Sequence, residues 1–261
     1  MQPALWIAKT GLSAQDFKLA TIANNLANVS TNGFKRDRAT FQDLLYQTQQ
    51  SPGGPTSSST ALPSGLNMGT GVRIGSTMKQ FTEGSISVTG QPLDVAINGR
   101  GFLQVLMPDG TTAYTRDGSL QINNQGQIVT AQGYPVQPAV TIPAGVSQIT
   151  IGADGTISYN NATTNLPTQV GQITLADFIN PQGLQAIGTN LYQESGSSGS
   201  PVVSPAAING MGSLQQGALE TSNVNIVTEM VDMITAQRAY EMNSKVISTA
   251  DQMMQFVTQN M

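Results

Sequence analysis

The residues able to do chemistry in this chain are few, and their types exclude most of it. There is no His and no Cys in 261 residues. A Ser–His or Cys–His nucleophile therefore cannot be assembled, nor can a zinc site of nitrogen and sulfur ligands. Carboxylates remain, most suggestively in the Asp-Gly pairs at Asp109, Asp117 and Asp154. A calcium loop of the EF-hand kind sets oxygen ligands at alternating positions before its Gly and ends on a Glu. Here each Asp stands alone, so the pairs read as hairpin turns. Gly210-Met211-Gly212 lacks the third Gly of a dinucleotide motif and does not follow a strand–helix unit. Arg100 and Arg116-Asp117 are the remaining candidates, and a structural ion pair or a hairpin role accounts for them. No catalytic residue, cofactor, cofactor-binding residue or metal ligand is assigned, and the chain is not expected to be an enzyme.

Composition points the same way. Only 26 residues are charged, 11 basic and 15 acidic, and aromatics make up 5%. A net charge of −4 carries no basic footprint for nucleic acid. No uninterrupted apolar run reaches the 18 or so residues of a membrane helix, so the chain is not expected to be membrane-embedded. Its start lacks the basic, apolar and small-residue pattern of a cleaved secretory signal. Any exit from the cytoplasm is expected by another route.

With chemistry set aside, the informative pattern is periodicity at the two ends. Ile226, Met233, Tyr240, Ile247, Met254 and Met261 recur every seven residues, flanked by Val227, Met230, Val231, Ile234, Val246, Ala250, Met253 and Val257. No Pro or Gly interrupts the chain after Ala218. This predicts a continuous helix of about 35 residues, roughly 50 Å long, with a repeat suited to supercoiling. At the other end Leu5, Leu12, Leu19 and Leu26 also recur every seven, with Ala8, Ile22 and Val29 in the second seam position and Gln15 the polar intruder. That helix is expected to stop near Asn28, before Ser30-Thr31-Asn32-Gly33. Residues 1–50 carry five basic groups against three acidic ones, and residues 220–261 carry two against five. Opposite signs favour pairing of the two ends, although screened surface charge contributes little. Two helices with one seam each bury little apolar surface. The ends are therefore expected to be stabilised mainly by contacts with other copies.

Between the helices the pattern changes. Phe41 to Tyr46 reads as a short amphipathic piece, and 16 of the 21 residues at 51–71 are Gly, Pro, Ser or Thr. The default for such a stretch is a flexible linker; the alternative is an extended segment ordered by neighbouring subunits. From Val72 to about Tyr192 apolar residues alternate with polar ones, punctuated by Asn98-Gly99, Asp109-Gly110, Asp117-Gly118, Gln125-Gly126, Gln132-Gly133 and Asp154-Gly155. Short strands at regular spacing with no helix between them predict an antiparallel all-β module. The fold class expected is α+β. Residues 1–33 and 220–261 would form a terminal helical coiled-coil domain. Residues 34–71 and 195–219 would form an extended arm and linker region, and 72–194 an all-β domain.

Four blocks then carry a family resemblance. Ala23-Asn24-Asn25-Leu26-Ala27-Asn28-Val29-Ser30-Thr31-Asn32-Gly33-Phe34-Lys35 resembles the N-terminal signature of the bacterial flagellar rod and hook axial proteins. Leu93 to Val105 and Tyr114 to Leu120 resemble their β-domain motifs. Ser222-Asn223-Val224-Asn225, through Gln237-Arg238-Ala239-Tyr240-Glu241-Met242-Asn243-Ser244-Lys245, resembles their C-terminal signature. The blocks lie in the family's order along the whole chain. The resemblance implies a structural subunit that self-assembles into a stiff hollow helical tube, carries torque from motor to hook and passes exported subunits. Length and the 51–71 segment fit the distal rod; the hook and the proximal rod are the alternatives. The partners implied are copies of the chain itself, proximal rod proteins, the hook protein, the surrounding P and L ring proteins and the flagellar type III export apparatus. The place implied is the basal body, where the rod crosses the periplasm to the outer membrane. Phe41-Gln42-Asp43-Leu44-Leu45 resembles the Phe-x-x-x-apolar motif read by the export gate, with Phe41 and Leu45 as its apolar ends; a small core anchor is an equally good account.

Overall fold

The computed structural model describes residues 2–52, 55–57, 60–61, 64–143, 146–161 and 167–259. Helix α1 spans Gln2–Ala27 and helix α2 spans Ile226–Gln259. Pro3 sits in the first turn of α1, where its missing N–H leaves no bond unmade. Asn225 caps α2, its Oδ1 accepting from the Thr228 N–H at 3.2 Å. With no internal Pro or Gly, α2 runs 34 residues, the length the heptads predict. Its last expected seam residue, Met261, and the side chain of Val257 lie outside the described residues.

The chain divides into two units: Met1–Leu26, Asp37–Met78 and Asn225–Met261 form one, Ala27–Arg36 and Lys79–Val224 the other. The first holds both helices and a two-stranded ribbon. Asp37–Asp43 pairs with Val72–Lys79, Gln47–Gln50 with Leu66–Met68, and Pro55–Ser57 with Thr60–Ala61. The register is antiparallel, with Gln47 opposite Met68 and Thr48 opposite Asn67. The default linker reading of 51–71 is therefore corrected at its ends. Leu66–Met68 is too short for its alternation to announce a strand, and its partner Gln47–Gln50 is wholly polar. Residues 53–54, 58–59 and 62–63 lie outside the described residues. Phe41 belongs to the first ribbon strand rather than to a separate amphipathic piece.

The second unit is the β region. Its main sheet runs, in order, Gln185–Gly188, Leu191–Gln193, Thr112–Thr115, Phe102–Leu106, Thr174–Asp177 and Val202–Pro205, with Val136–Gln137 also paired to Phe102–Leu106. Alternate residues point to opposite faces of a strand, and each face covers a separate core. Leu103, Val105, Ala113, Leu175 and Leu191 enter a large aliphatic cluster with Val95, Ile97, Ile151 and Ile157. Their neighbours Phe102, Tyr114, Ala176 and Tyr192 enter an aromatic cluster with Phe178 and Leu184. The rings there meet edge-on, Tyr114 on Phe178 at 4.8 Å and Phe102 on Phe81 at 5.4 Å.

Residues 195–219, expected as linker, are woven into this unit. Val202–Pro205 extends the main sheet, Ser213–Gln216 pairs with Val95–Asn98, and Ala218–Glu220 with Ile86–Val88. The last two partners lie more than 100 residues upstream, beyond the reach of any local signal. The Asp-Gly pairs at Asp109 and Asp154 turn hairpins, whereas Asp117-Gly118, expected as a third, joins Thr112–Thr115 to Leu120–Ile122, strands of different sheets that do not pair, and Gly118 packs instead on the Val95 backbone. Asp109 Oδ1 accepts from Thr111 N and Oγ1 at 2.9 and 2.7 Å, and Asp154 and Asp117 do the same with Thr156 and Ser119. These bonds hold the exposed Asp109 and Asp154 carboxyls below the usual carboxylate range.

Candidate assembly site

The helical unit places the two long helices against each other in opposite chain directions. A β-carbon at Gly11 would lie 3.1 Å from Asn243 Nδ2. The Asn25 Nδ2 donates to Glu229 Oε2 at 3.2 Å. Fourteen residues up α1 (11 to 25) thus match fourteen down α2 (243 to 229). The residues of α2 on this line are Glu229, Ala236, Asn243 and Ala250, spaced by seven. Glu229, Ala236 and Ala250 are buried, and Asn243 is half-buried. Small side chains allow the close approach, and Gly11, a weak helix former in isolation, is small enough to permit it.

The expected apolar seam lies three or four residues, one helical turn, off this line, and its exposure is uneven. Met233, Ile247 and Met254 are half-buried, whereas Ile226 and Tyr240 are exposed. Met230 and Ile234 are 51% and 50% exposed. On α1, Ile22 is buried, while Leu5, Leu12, Leu19 and Leu26 are half-buried.

The family-motif residues near the first turn of α2 form a polar clamp in the same unit. Asn25 is 1% exposed and fully engaged. Its Nδ2 also donates to the Asp37 carbonyl at 2.9 Å, and its Oδ1 accepts from the Asp37 N–H at 2.8 Å. One side chain so ties α1, the first ribbon strand and Glu229. The exposed Asn24 reaches Asp37 Oδ2 at 3.5 Å. Gln237 and Arg238 lie exposed on α2. Phe41 is 37% exposed, and Leu45 is 91% exposed.

In the β unit the rest of the motif serves a buried ion cluster. Glu220, 1% exposed, accepts from Lys35 Nζ at 2.6 Å, Arg116 Nη1 at 3.2 Å and the Gly84 N–H at 2.9 Å. Lys35 also donates to the Thr82 carbonyl at 2.7 Å, and Arg116 Nη2 to the Gly99 carbonyl at 2.7 Å. Burial, and then the nearby Arg116 charge, lower the Lys35 pKa against the upward pull of Glu220. Gly33 adopts φ +69°, donates its N–H to the Glu220 carbonyl at 2.8 Å, and leaves no room for a β-carbon beside the Arg116 backbone. Asn28 accepts from Thr31 Oγ1 at 3.2 Å, the Asn32 carbonyl accepts from Asn190 at 2.9 Å, and Phe34 is buried under Lys79. Asn223 Oδ1 accepts from the Arg36 N–H, and its Nδ2 donates to the Gln80 and Thr82 carbonyls.

Glu220 and Glu229 escaped sequence reasoning. Their only signal was being acidic near the start of an apolar helix in a chain poor in charge. Among the described residues no three His, Cys, Asp or Glu side chains gather as a metal would require. Among the same residues no helix is long and apolar enough to cross a membrane.

Motifs spent on internal bracing, and apolar side chains left on the outside of the helices, define a structural assembly subunit. Comparison with known proteins specifies which kind. Residues 5–35 match the family described as flagella basal body rod protein, 96–159 the flagellar hook protein FlgE/F/G D1 domain, and 215–260 the flagellar basal body rod FlgEFG protein C-terminal family. The chain is 52% identical to the flagellar basal-body rod protein FlgG of Buchnera aphidicola from Schizaphis graminum, over 99% of this chain and 100% of that protein. It is 48% identical to the FlgG of Caulobacter vibrioides, over 98% of each, and 33% identical to the flagellar hook-basal body complex protein FlhP of Bacillus subtilis, over 97% of each. The chain belongs to the FlgG family of flagellar basal-body rod proteins.

Proposed function

We propose that this chain is a structural subunit of the distal flagellar rod, polymerising with copies of itself into a stiff hollow tube that transmits torque to the hook and passes exported subunits. One observation carries the reading. In a chain of this family, Val227, Met230, Val231 and Ile234 remain at least half exposed on α2, so apolar surface is available for neighbouring copies to cover. Terminal helices of adjacent copies would bundle as a coiled coil through the Ile226, Met233, Tyr240, Ile247 and Met254 seam and the Leu5, Leu12, Leu19, Leu26 stripe. Long overlapping helices resist bending and twist, which suits a drive shaft. The ribbon containing 51–71 would lie along neighbouring subunits and add stiffness. The domain scheme is helical core, arm and β region.

The remaining partners follow from this placement: proximal rod proteins and the hook protein at the two ends of the tube, the P and L ring proteins around it, and the type III export apparatus, which would read Phe41 and Leu45 in the unfolded chain. The rod would cross the periplasm to the outer membrane. A strain deleted for this gene should assemble basal bodies that stop short, without outer ring or hook. Purified protein lacking residues 51–65 should give curved or more pliable polymers in electron micrographs. Full-length basal bodies in the deletion strain would refute the role, and straight polymers from the shortened chain would refute the stiffening arm.

A further inference from the structure

The helical unit carries two apolar surfaces of complementary shape at different heights along its axis. The first is a ridge. If Glu229, Ala236, Asn243 and Ala250 mark the side of α2 toward α1, Val227, Met230, Val231 and Ile234 lie about 100–160° round the helix from it. They follow the i, i+3, i+4, i+7 spacing of a docking stripe, and their exposures run from 50% to 71%. Beyond Ile234 the same face becomes mostly polar, with Gln237, Arg238, Glu241 and Lys245, and the exposed Met242 stands at its edge. The second surface is a groove of about 710 Å³ that mixes apolar walls, Trp6, Leu44, Leu45 and Tyr46, with polar side chains that include Asp43 and Arg73. Trp6, Leu45 and Tyr46 are 55%, 91% and 59% exposed.

We infer that the ridge of one copy docks into the Trp6–Leu45–Tyr46 groove of the next. This rests on the self-assembly reading above and names its contact. Two features select a second copy as the occupant. The ridge is convex and aliphatic, the groove concave with aromatic walls, so each offers what the other lacks. Each is also edged by ions of both signs, Arg238 and Glu241 beyond the ridge and Lys9, Asp43 and Arg73 at the groove, so pairs can form across the contact. Because the two surfaces differ, the contact is heterologous. It propagates into an open helix, whereas ridge on ridge would close a dimer. The register that sets Gly11 against Asn243 sets Trp6 against position 248. That is 248 − 230 = 18 residues from the ridge, so successive copies would be displaced axially by about 27 Å.

The absence of Cys makes the test direct. M230C and L45C chains are assembled singly and as a mixture, then treated with a short bifunctional maleimide. The mixture should yield cross-linked dimers in the polymer, and neither chain alone should. V231D should keep the parent's helicity by circular dichroism while its critical concentration rises at least about tenfold, a loss of about 1.4 kcal/mol. Polymers without the mixed cross-link, M230C dimers alone, or normal assembly of V231D would each overturn the contact while leaving self-assembly standing. Failure of every chain, the parent included, to polymerise would remove the reading beneath it and the contact together.

Discussion

Replacing Glu220 by Gln keeps its shape and removes the carboxylate bonded to both Lys35 and Arg116, both at most 3% exposed. Breaking a buried ion pair from one side costs about 3–5 kcal/mol, because the partner charge stays buried and uncompensated. Two cations are stranded here, but Lys35 already sheds its proton more readily than an ordinary lysine, through burial first and Arg116 second. Its neutralisation relieves part of the penalty, so the loss should fall near the lower end, about 3 kcal/mol. For a unit of this size that is a fall in Tm of roughly 6–12 °C. Removing a cation instead should be far milder. K35M leaves Arg116 paired with Glu220 and ends a repulsion, so a loss of about 1 kcal/mol is expected, from the Thr82 and Glu220 bonds. Between the lowered Lys35 pKa and its ordinary value the unfolded chain holds more protons than the folded one. Stability due to Lys35 therefore rises with pH across that window, and K35M should lack the rise. Near-UV circular dichroism is the assay, since Tyr114 and Tyr192 are packed in the aromatic core of this unit. Equal losses in E220Q and K35M, or a fall under about 2 °C for E220Q, would refute the account of the cluster.

Other changes test neighbouring parts. G33A forces a β-carbon against the Arg116 backbone at φ +69°, and should lower β-unit stability by about 1–3 kcal/mol in urea titrations. N25A leaves the Glu229 carboxylate buried without its amide donor; a loss of about 1–3 kcal/mol should appear as earlier thermal loss of helical signal at 222 nm. I247D, at a half-buried position of α2, should block polymerisation while the tyrosine signal of the β unit persists, and normal filaments would refute the seam. T156V removes the hydroxyl that contributes most to the lowered Asp154 pKa, so the carboxyl titration followed by NMR should move up toward the ordinary value.

Much of the architecture was legible because its signals are local. The heptads and the lack of Pro and Gly mark α2 to within a residue or two of Ile226–Gln259, and the two Asp-Gly-Thr triplets mark hairpins whose bonds span two residues. The family blocks were legible too, but their role was not. Asn25, Lys35 and Asn223 are spent on hydrogen bonds to Asp37, Glu220 and Arg36, partners that only folding supplies. Composition misled at 51–71 and 195–219, because Gly, Pro and Ser report local turn preference and are silent on distant pairing, as of Ser213–Gln216 with Val95–Asn98.

Hydrophobic periodicity announces that a face will be buried without saying against what. The residues from Ile226 to Met254 were bound to form a long helix with a greasy flank, since a chain free of Pro and Gly with a seven-residue apolar repeat has few other options. Which neighbours cover that flank depended on how closely two backbones approach. Gly11, Ala236 and Ala250 permit a close intrachain contact, and a line of small residues takes it. The bulkier Val227, Met230, Val231 and Ile234 are left facing outward, because side-chain size at a contact appears only once the helices are set side by side.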